Sequence, residues 1–285
     1  MNLFSKKDLK NLLKKYRVYP SKRLGQNFLI DKSAAQKVIK AADLTKKDLV
    51  LEIGPGIGNL TQELAKNAGK VVAVEKDRKM AEILRETLKD FNNVKIIQGD
   101  ILKIENLGLG VRSYKLIANL PYYITSPVIR KFLESPPAGG PPKLMVLTVQ
   151  KEVARRICVS PPNMSLLAVS VQFYAKPEII SFISKKSFWP SPKVDGAIIR
   201  ITPLITTDKK RINVDLFFRI VKAGFSQPRK QLVNNLLALS LPKGVKLEKE
   251  KVQNWLLKNK ISPSQRAETL SAQDWLWLAK NFKDL

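Results

Sequence analysis

Apolar and polar residues follow two alternating patterns along the first two thirds of the chain. Short, nearly continuous apolar runs predict buried strands at 49–53, 71–75, 94–98, 116–119 and 144–150. Between these runs, apolar residues recur every three or four positions, which predicts helices at 33–42, 60–67, 78–88, 127–134 and 152–158. Strands that alternate with helices in this way indicate an α/β fold with a mostly parallel, doubly wound sheet.

The pattern changes in the last third. Runs at 178–183 and 197–201 predict strands at an antiparallel edge of the sheet, and after Pro203 only helical stretches follow, around 213–225, 228–240, 247–259 and 264–282. We therefore expect a basic N-terminal extension over 1–22, a Rossmann-like domain over 23–205 and a small helical C-terminal domain over 206–285.

The chain of 285 residues carries a formal net charge of +27, which implies a polyanionic partner, either nucleic acid or an anionic membrane surface. The excess lies before residue 48 and after residue 135, whereas 48–135 is nearly balanced. This distribution predicts a small-molecule site framed by a phosphate-binding surface.

Composition also excludes several kinds of chemistry. The chain has no histidine, so His-based triads and His-ligated metal sites are excluded, and no metal is expected. Its one cysteine, Cys158, is consistent with a reducing compartment, and we expect a cytoplasmic protein. Residues 1–16 alternate Leu and Phe with Lys, which predicts no secretory signal but leaves open an amphipathic helix that contacts a membrane or a partner.

Candidate ligand-binding residues follow three successive strands. Gly54, Gly56 and Gly58 form a turn between a strand and a helix, while Glu75 and Asp100 end the next two strands. An acid about 20 residues after such a turn can bind ribose hydroxyls. Individually they have simpler explanations, such as a tight turn, a solvated charge or a helix N-cap. Together they match the layout of an S-adenosylmethionine-dependent methyltransferase.

A fourth strand leads into Asn119-Leu120-Pro121-Tyr122. The Asn119 amide can accept a hydrogen bond from an amine, Pro121 restricts the backbone so that the Leu120 carbonyl can face a pocket, and Tyr122 offers a stacking surface. These groups suit an amino group on a planar ring, although an ordinary strand exit would have the same composition.

The whole set of motifs resembles the ribosomal RNA adenine dimethyltransferase family, and within it the bacterial small-subunit (kasugamycin-resistance) group. The resemblance runs from Arg23–Leu29 through the motifs above to Ser187–Lys193, Phe225–Lys230 and Arg266–Ser271. It implies S-adenosylmethionine-dependent N6,N6-dimethylation of two adjacent adenosines in the 3′-terminal hairpin of 16S rRNA, in an immature small ribosomal subunit. It also implies that the cofactor pocket is lined by Asn27, Leu29, Gly54, Glu75, Asp100 and Asn119.

The same resemblance implies that the target adenine is held by Asn119, Leu120, Pro121, Tyr122 and Phe188. From its residue type and surroundings alone, Phe188 would be a core residue. Gly196 stands where the family usually has a small hydroxyl residue, a departure that we expect not to touch the pocket. We expect a monomer that grips RNA phosphates with basic residues flanking the pocket: Lys14, Lys15, Arg17, Lys22, Arg23, Arg229 and Lys230.

Three alternatives remain at this point. The sister group that methylates large-subunit rRNA typically has Ile where this chain has Leu120, so Leu120 and the helical tail favour the small-subunit group. A non-catalytic descendant would only bind nucleic acid. The third alternative is a membrane-surface helix at the N-terminus, supported by residues 1–16 alone.

Overall fold

The computed structural model describes residues 1–21, 24–109, 113–137, 140–204, 212–239 and 247–282. These residues belong to two compact units. The first comprises Met1–Ala154 and Pro177–Pro203, and the second comprises Arg155–Lys176 and Leu204–Leu285. The predicted limits at 22/23 and 205/206 lie at or beside residues outside the described ranges, so these limits stay predictions.

A seven-stranded sheet forms the centre of the first unit. In spatial order its strands are β4 (Val94–Gln98), β3 (Lys70–Glu75), β2 (Leu49–Ile53), β5 (Lys115–Asn119), β6 (Leu144–Gln150), β9 (Gly196–Pro203) and β7 (Ala175–Ile183). The first five strands are parallel, and β9 pairs antiparallel with β6. The remaining strands, β1 (Phe28–Leu29) and β8 (Phe188–Trp189), form a separate antiparallel pair. The predicted α/β fold with a mostly parallel sheet is confirmed.

The helices of the first unit mostly connect successive strands. They are α1 (Lys6–Lys15), α2 (Lys32–Ala42), α3 (Asn59–Asn67), α4 (Arg78–Thr87), α5 (Thr125–Glu134) and α6 (Lys151–Ile157), whose last residues fall in the second unit. A buried cluster fills the space between helices and sheet, with Val38, Val50, Leu64 and Ile117 among its members.

The strand order determines where a ligand can bind. From β2 the chain moves outward through β3 to β4, then returns to the other side of β2 for β5 and β6. The connections after β2 and β5 therefore leave the sheet in opposite directions and open a crevice between them. In open α/β sheets, ligands bind in such a crevice at the carboxyl ends of the strands.

The N-terminal helix α1 packs onto the first unit through its apolar face. Leu9, Leu12 and Leu13 are buried in a cluster with Phe28 and Ile57. An apolar face that is covered by protein is not available to a bilayer, which argues against the membrane-surface alternative. Among the described residues, no helix is long and apolar enough to cross a membrane.

The second unit is helical and has its own core. It contains α7 (Leu166–Tyr174), α8 (Val214–Gly224), α9 (Leu232–Leu236), α10 (Lys249–Lys258) and α11 (Ala272–Lys280). The rings of Phe173 and Phe217 stack at 4.1 Å within this core. Gly224 allows close packing, since a Cβ there would lie 2.2 Å from the ring of Trp275.

One helix in this region was not predicted, and the bounds predicted for two others were wrong. Helix α7 was not predicted because Leu166–Tyr174 is apolar on nearly every side and lacks a clear periodicity. The helix predicted at 228–240 is only Leu232–Leu236 where it is described. The helix predicted at 264–282 begins at Ala272, because Ser271 and Asp274 form a capping box there.

Candidate active site

A cavity opens at the carboxyl ends of β2, β3, β4 and β5. All ten residues predicted for the cofactor and target sites line it: Asn27, Leu29, Gly54, Glu75, Asp100, Asn119, Leu120, Pro121, Tyr122 and Phe188. They come from the segment around β1, from four strand ends and from β8. The strand order therefore brings together residues that are far apart in the sequence.

The glycine turn after β2 forms one wall of the cavity. Gly54 has φ of +66°, and a Cβ at this position would meet no atom within 4 Å. The position therefore faces open space that a side chain would partly fill. Gly56 has φ of +60° and lies so close to Phe28 that a Cβ would be 3.0 Å from its ring. Glycine thus supplies both the left-handed backbone and the close approach.

Glu75 is held at the end of β3 by two backbone amides. The Gly56 N–H donates to Oε2 at 3.1 Å, and the Asp77 N–H donates to Oε1 at 2.8 Å. Burial raises the pKa of Glu75, although these two hydrogen bonds oppose the rise. Each carboxylate oxygen can accept a second hydrogen bond, so the side chain can still receive ligand hydroxyls.

Asp100 is an ion-pair partner as well as a cavity residue. Lys76 Nζ lies 2.9 Å from Asp100 Oδ2, and the Leu102 N–H donates to Oδ1 at 3.0 Å. Burial alone would raise the pKa of Asp100, but the bonds from Lys76 and Leu102 outweigh it and lower the pKa. Asp100 therefore stays ionised and can accept a hydrogen bond from an amino group.

The orientation of Asn119 is set by the segment before β1. Its amide nitrogen Nδ2 donates to the backbone oxygen of Asn27 at 3.0 Å, and the Asn27 side chain donates to the Gly25 oxygen at 3.2 Å. Because a carbonyl oxygen can only accept, the nitrogen of Asn119 must face Asn27. The amide oxygen Oδ1 is then left to accept a hydrogen bond from a ligand.

Two aromatic residues line the cavity with different degrees of burial. Tyr122 is half-buried, and burial, with a smaller contribution from Asp195, raises the pKa of its hydroxyl. Phe188 is only 3% exposed and packs in the core cluster, while it also lines the cavity. Its two possible roles, core and pocket, are therefore compatible.

Gly196 lies behind Phe188. It does not line the cavity, but a Cβ there would be 3.6 Å from the Phe188 ring. A small hydroxyl side chain at position 196 would therefore pack against the Phe188 ring, which lines the cavity, although position 196 does not line it. The sequence did not indicate this contact.

Several lining residues were not predicted. Glu52 is 1% exposed and its Oε2 has no hydrogen-bond partner among the described residues. Burial raises the pKa of Glu52 to about 8, and Glu75 adds to the rise. Asn59 donates to the Leu29 oxygen and so ties α3 to β1. An acid inside an otherwise apolar strand was the sequence signal for Glu52; Lys76 and Tyr123, which also line the cavity, gave no distinct signal.

Five of the seven predicted RNA-binding residues are described, and none of these five lines the cavity. Lys14, Lys15 and Arg17 are exposed, and Lys15 pairs with Glu86 at 2.6 Å. Arg229 and Lys230 are exposed in the second unit. Lys22 and Arg23 lie outside the described residues. Among the residues that the structure describes, no group of acidic or cysteine side chains could hold a metal ion.

Comparison with known proteins identifies the family. Residues 20–284 match the model of the family described as ribosomal RNA adenine dimethylase. The chain belongs to this family. It is 42% identical over 272 residues to the ribosomal RNA small subunit methyltransferase A of Dehalococcoides mccartyi, a match that covers 94% of this chain and 90% of the relative.

Two solved structures share the fold. A dimethyladenosine transferase from Plasmodium falciparum has a TM-score of 0.70 and 27% identity, covering 89% of this chain and 96% of that one. The 23S rRNA methyltransferase ErmE has a TM-score of 0.70 and 26% identity, covering 90% of this chain and 100% of that one. Family and fold together show a methyltransferase and imply S-adenosylmethionine as the methyl donor.

Two features of the cavity suit this cofactor. The open space beside Gly54 admits a bulky group against the glycine turn, where no side chain competes for the volume. The unpartnered Glu52 Oε2 would gain a hydrogen bond from a polar group of the ligand.

Proposed function

We propose that the protein transfers methyl groups from S-adenosylmethionine to N6 of two adjacent adenosines in the 3′-terminal hairpin of 16S rRNA, in the immature small ribosomal subunit. The single observation that carries this proposal is the orientation of Asn119. Its nitrogen is bound by Asn27, so its oxygen is free to accept a hydrogen bond beside the Leu120-Pro121-Tyr122 segment.

The cofactor supplies an electrophilic methyl group when bound. Asn27, Leu29 and Gly54 would surround it at the glycine turn, Glu75 would accept hydrogen bonds from ribose hydroxyls, and Asp100 would accept one from the adenine amino group. Both acids already receive backbone hydrogen bonds that fix their carboxylates. Such preorganisation avoids reorganisation when the ligand binds.

Asn119 and Leu120 would activate the target nitrogen. The lone pair of adenine N6 is delocalised into the ring, which makes the amine a poor nucleophile. Hydrogen bonds from N6–H to Asn119 Oδ1 and to the Leu120 carbonyl would favour a tetrahedral nitrogen. The lone pair would then be localised on N6 and available to attack the methyl group of the cofactor, which leaves the sulfonium sulfur. Catalysis then rests on positioning and electrostatics, and the cationic product loses its proton without a strong base.

Tyr122 and Phe188 would hold the adenine between their rings. An adenosine must leave its base stack to reach a cavity of this kind, and aromatic surfaces compensate for the lost stacking. Pro121 restricts the backbone that places Tyr122. After one transfer N6 keeps one hydrogen, which can still be donated to one of the two acceptors, Asn119 Oδ1 or the Leu120 carbonyl, in a second methylation with a fresh cofactor.

The rRNA specificity rests on the relatives rather than on the fold. The Plasmodium falciparum enzyme and ErmE match the chain equally well in structure, with a TM-score of 0.70 each. The 42% identity with a small subunit methyltransferase and the presence of Leu120 favour the small-subunit substrate over the large-subunit one.

The partners outside the cavity follow from charge. We propose that Lys14, Lys15 and Arg17, together with Lys22, Arg23, Arg229 and Lys230, bind phosphates of the subunit. Such contacts position RNA without reading its sequence, so specificity would come from the shape of the assembling particle. We expect the protein to act as a monomer in the cytoplasm.

A transfer assay with tritiated S-adenosylmethionine tests the proposal. Under-methylated small subunits are the substrate, with large subunits and free rRNA as controls, and nucleosides are resolved after digestion. N6,N6-dimethyladenosine on small subunits alone is the expected result. Label on large-subunit RNA would move the protein to the sister group, and cofactor binding without transfer to any RNA would favour a non-catalytic factor.

A further inference from the structure

Tyr123 is an exposed aromatic residue at the edge of the cavity, and the mechanism above does not use it. It lines the cavity next to Tyr122, yet it is 55% exposed. An exposed aromatic ring offers a flat face on which a nucleic-acid base can stack. Its location at the mouth of a cavity proposed to receive a nucleotide makes the ring a candidate contact for RNA.

The backbone directs Tyr122 and Tyr123 to different places. Both lie in the 3-10 turn Tyr122–Ile124, which is closed by a hydrogen bond from the Ile124 N–H to the Pro121 oxygen at 3.1 Å. A 3-10 helix has about three residues per turn, so consecutive side chains point roughly 120° apart. The two tyrosine rings therefore cannot stack on the same base.

The Tyr123 ring lies close to Gly25. Gly25 has φ of +61°, and a Cβ there would lie 3.0 Å from the Cβ of Pro121 and 3.6 Å from Cε1 of Tyr123. A side chain at position 25 would therefore be in van der Waals contact with the Tyr123 ring, so the ring lies beside the segment that also orients Asn119. One part of Tyr123 is packed and the other part faces solvent.

We propose that Tyr123 stacks on the base of the nucleotide adjacent to the adenosine that occupies the cavity. This inference rests on the proposed function. When one adenosine leaves its stack, the neighbouring base loses a stacking partner, and an aromatic ring at the cavity mouth replaces it. Tyr123 thereby lowers the cost of extruding the target, and it does so for any base, because every base has a π-face.

The test compares Tyr123→Ala and Tyr123→Phe with the wild type on under-methylated small subunits. Phe182→Ala is the matched control, because Phe182 is also an exposed aromatic residue of the first unit, at 47%, and does not line the cavity. KM for subunits, kcat and the cofactor Kd are measured for each protein.

Tyr123→Ala should raise KM for subunits roughly tenfold, as expected for the loss of one base–aromatic stack, while the cofactor Kd stays unchanged. Tyr123→Phe should restore the wild-type KM, since the ring and not the hydroxyl is required, and Phe182→Ala should have no effect. A structural role would instead weaken cofactor binding as well, because Tyr123 contacts the segment that orients Asn119.

An unchanged KM for Tyr123→Ala, or an equal loss of cofactor and subunit binding, would overturn this inference and leave the proposed function intact. Failure of the wild-type protein to methylate subunits would overturn the proposed function and this inference together.

Discussion

Asn119 shows how a hydrogen bond at one end of a side chain determines the chemistry at the other. The bond from Nδ2 to the Asn27 oxygen, 3.0 Å long, leaves Oδ1 available as a hydrogen-bond acceptor, which is the role that the proposed function gives it. Asn27 is in turn tied to Gly25. The sequence alone indicated that Asn119 was important, but it could not show which of its two polar atoms faces the ligand, because that depends on a contact between residues 92 positions apart.

Replacing Asn119 with alanine should lower kcat about a hundredfold or more, the size reported for loss of one preorganised polar group in an active site. RNA affinity should change little, because the residues proposed to bind phosphates do not line the cavity. Single-turnover transfer and filter binding measure the two quantities. Asn67→Ala is the control, since Asn67 bonds the Glu63 oxygen in α3 and does not line the cavity. Equal losses of rate and RNA affinity would contradict the role.

Glu52 makes stability depend on pH. Its pKa in the folded protein is about 8, raised by burial from 4.5. Between these pH values the folded protein keeps the proton while the unfolded chain releases it, so the contribution of Glu52 to stability is complete below pH 4.5 and is lost as the pH rises toward 8.

Glu52→Gln removes this titration. The variant should unfold at a higher temperature than the wild type at pH 8 and at nearly the same temperature at pH 5. At pH 8 the two proteins should differ in unfolding free energy by roughly a few kcal/mol. Thermal unfolding of the ligand-free proteins across this range measures the effect. A difference that is constant with pH would show that Glu52 does not titrate in this window.

At the scale of elements, α1 packs against the side of the cavity formed by the glycine turn and β1. Leu9, Leu12 and Leu13 pack with Ile57 of the glycine turn and Phe28 of β1, and Phe28 also contacts Gly56. The helix therefore covers residues that line or adjoin the cavity. Its charged residues remain on the exposed side, where they can meet RNA.

Leu9→Ala should lower the free energy of unfolding by about 2–5 kcal/mol, because it leaves a void in this buried cluster. Denaturant unfolding measures the loss. Asn11→Ala, at an exposed position of the same helix, should change stability by less than about 0.5 kcal/mol. A Leu9→Ala cost as small as that of Asn11→Ala would show that α1 is not packed in solution.

The sequence predicted best those elements in which the order of apolar and polar residues is typical of one kind of secondary structure. Strands β2, β3, β5 and β6 were found because buried parallel strands consist of nearly continuous apolar residues. Strand β4 was also predicted, although none of its residues is fully buried. Helix α7 has no polar face, so its period is hidden. Lys76 and Asp100 follow the ends of two different strands and form an ion pair. No local sequence pattern predicts that these two residues lie close together.

At the scale of the whole molecule, charge is distributed unevenly between the stretch that supplies most of the cavity lining and the rest of the chain. The net charge of +27 lies mainly outside residues 48–135, which supply most of the cavity lining. In the proposed function, cofactor binding inside the cavity and phosphate binding outside it should respond differently to salt. Only the binding of phosphates releases counterions.

Lys14→Ala combined with Arg17→Ala should reduce the slope of log affinity against log salt by about 2, at about 1 for each phosphate contact removed. These two residues are chosen over Lys15, which is already paired with Glu86. Lys89→Ala, an exposed lysine in the balanced stretch, is the control. Filter binding of subunits at several salt concentrations gives the slopes. An unchanged slope would show that RNA does not contact this end of α1.

Mapping the modified nucleotides tests the central claim most directly. Under-methylated small subunits are treated with S-adenosylmethionine and either the wild type or Asn119→Ala, and their rRNA is then reverse transcribed. Two methyl groups on N6 block base pairing, so each dimethylated adenosine stops the polymerase. We expect strong stops at two adjacent adenosines of the 3′-terminal hairpin with the wild type and almost none with the variant. Stops elsewhere, or equal stops with both proteins, would contradict it.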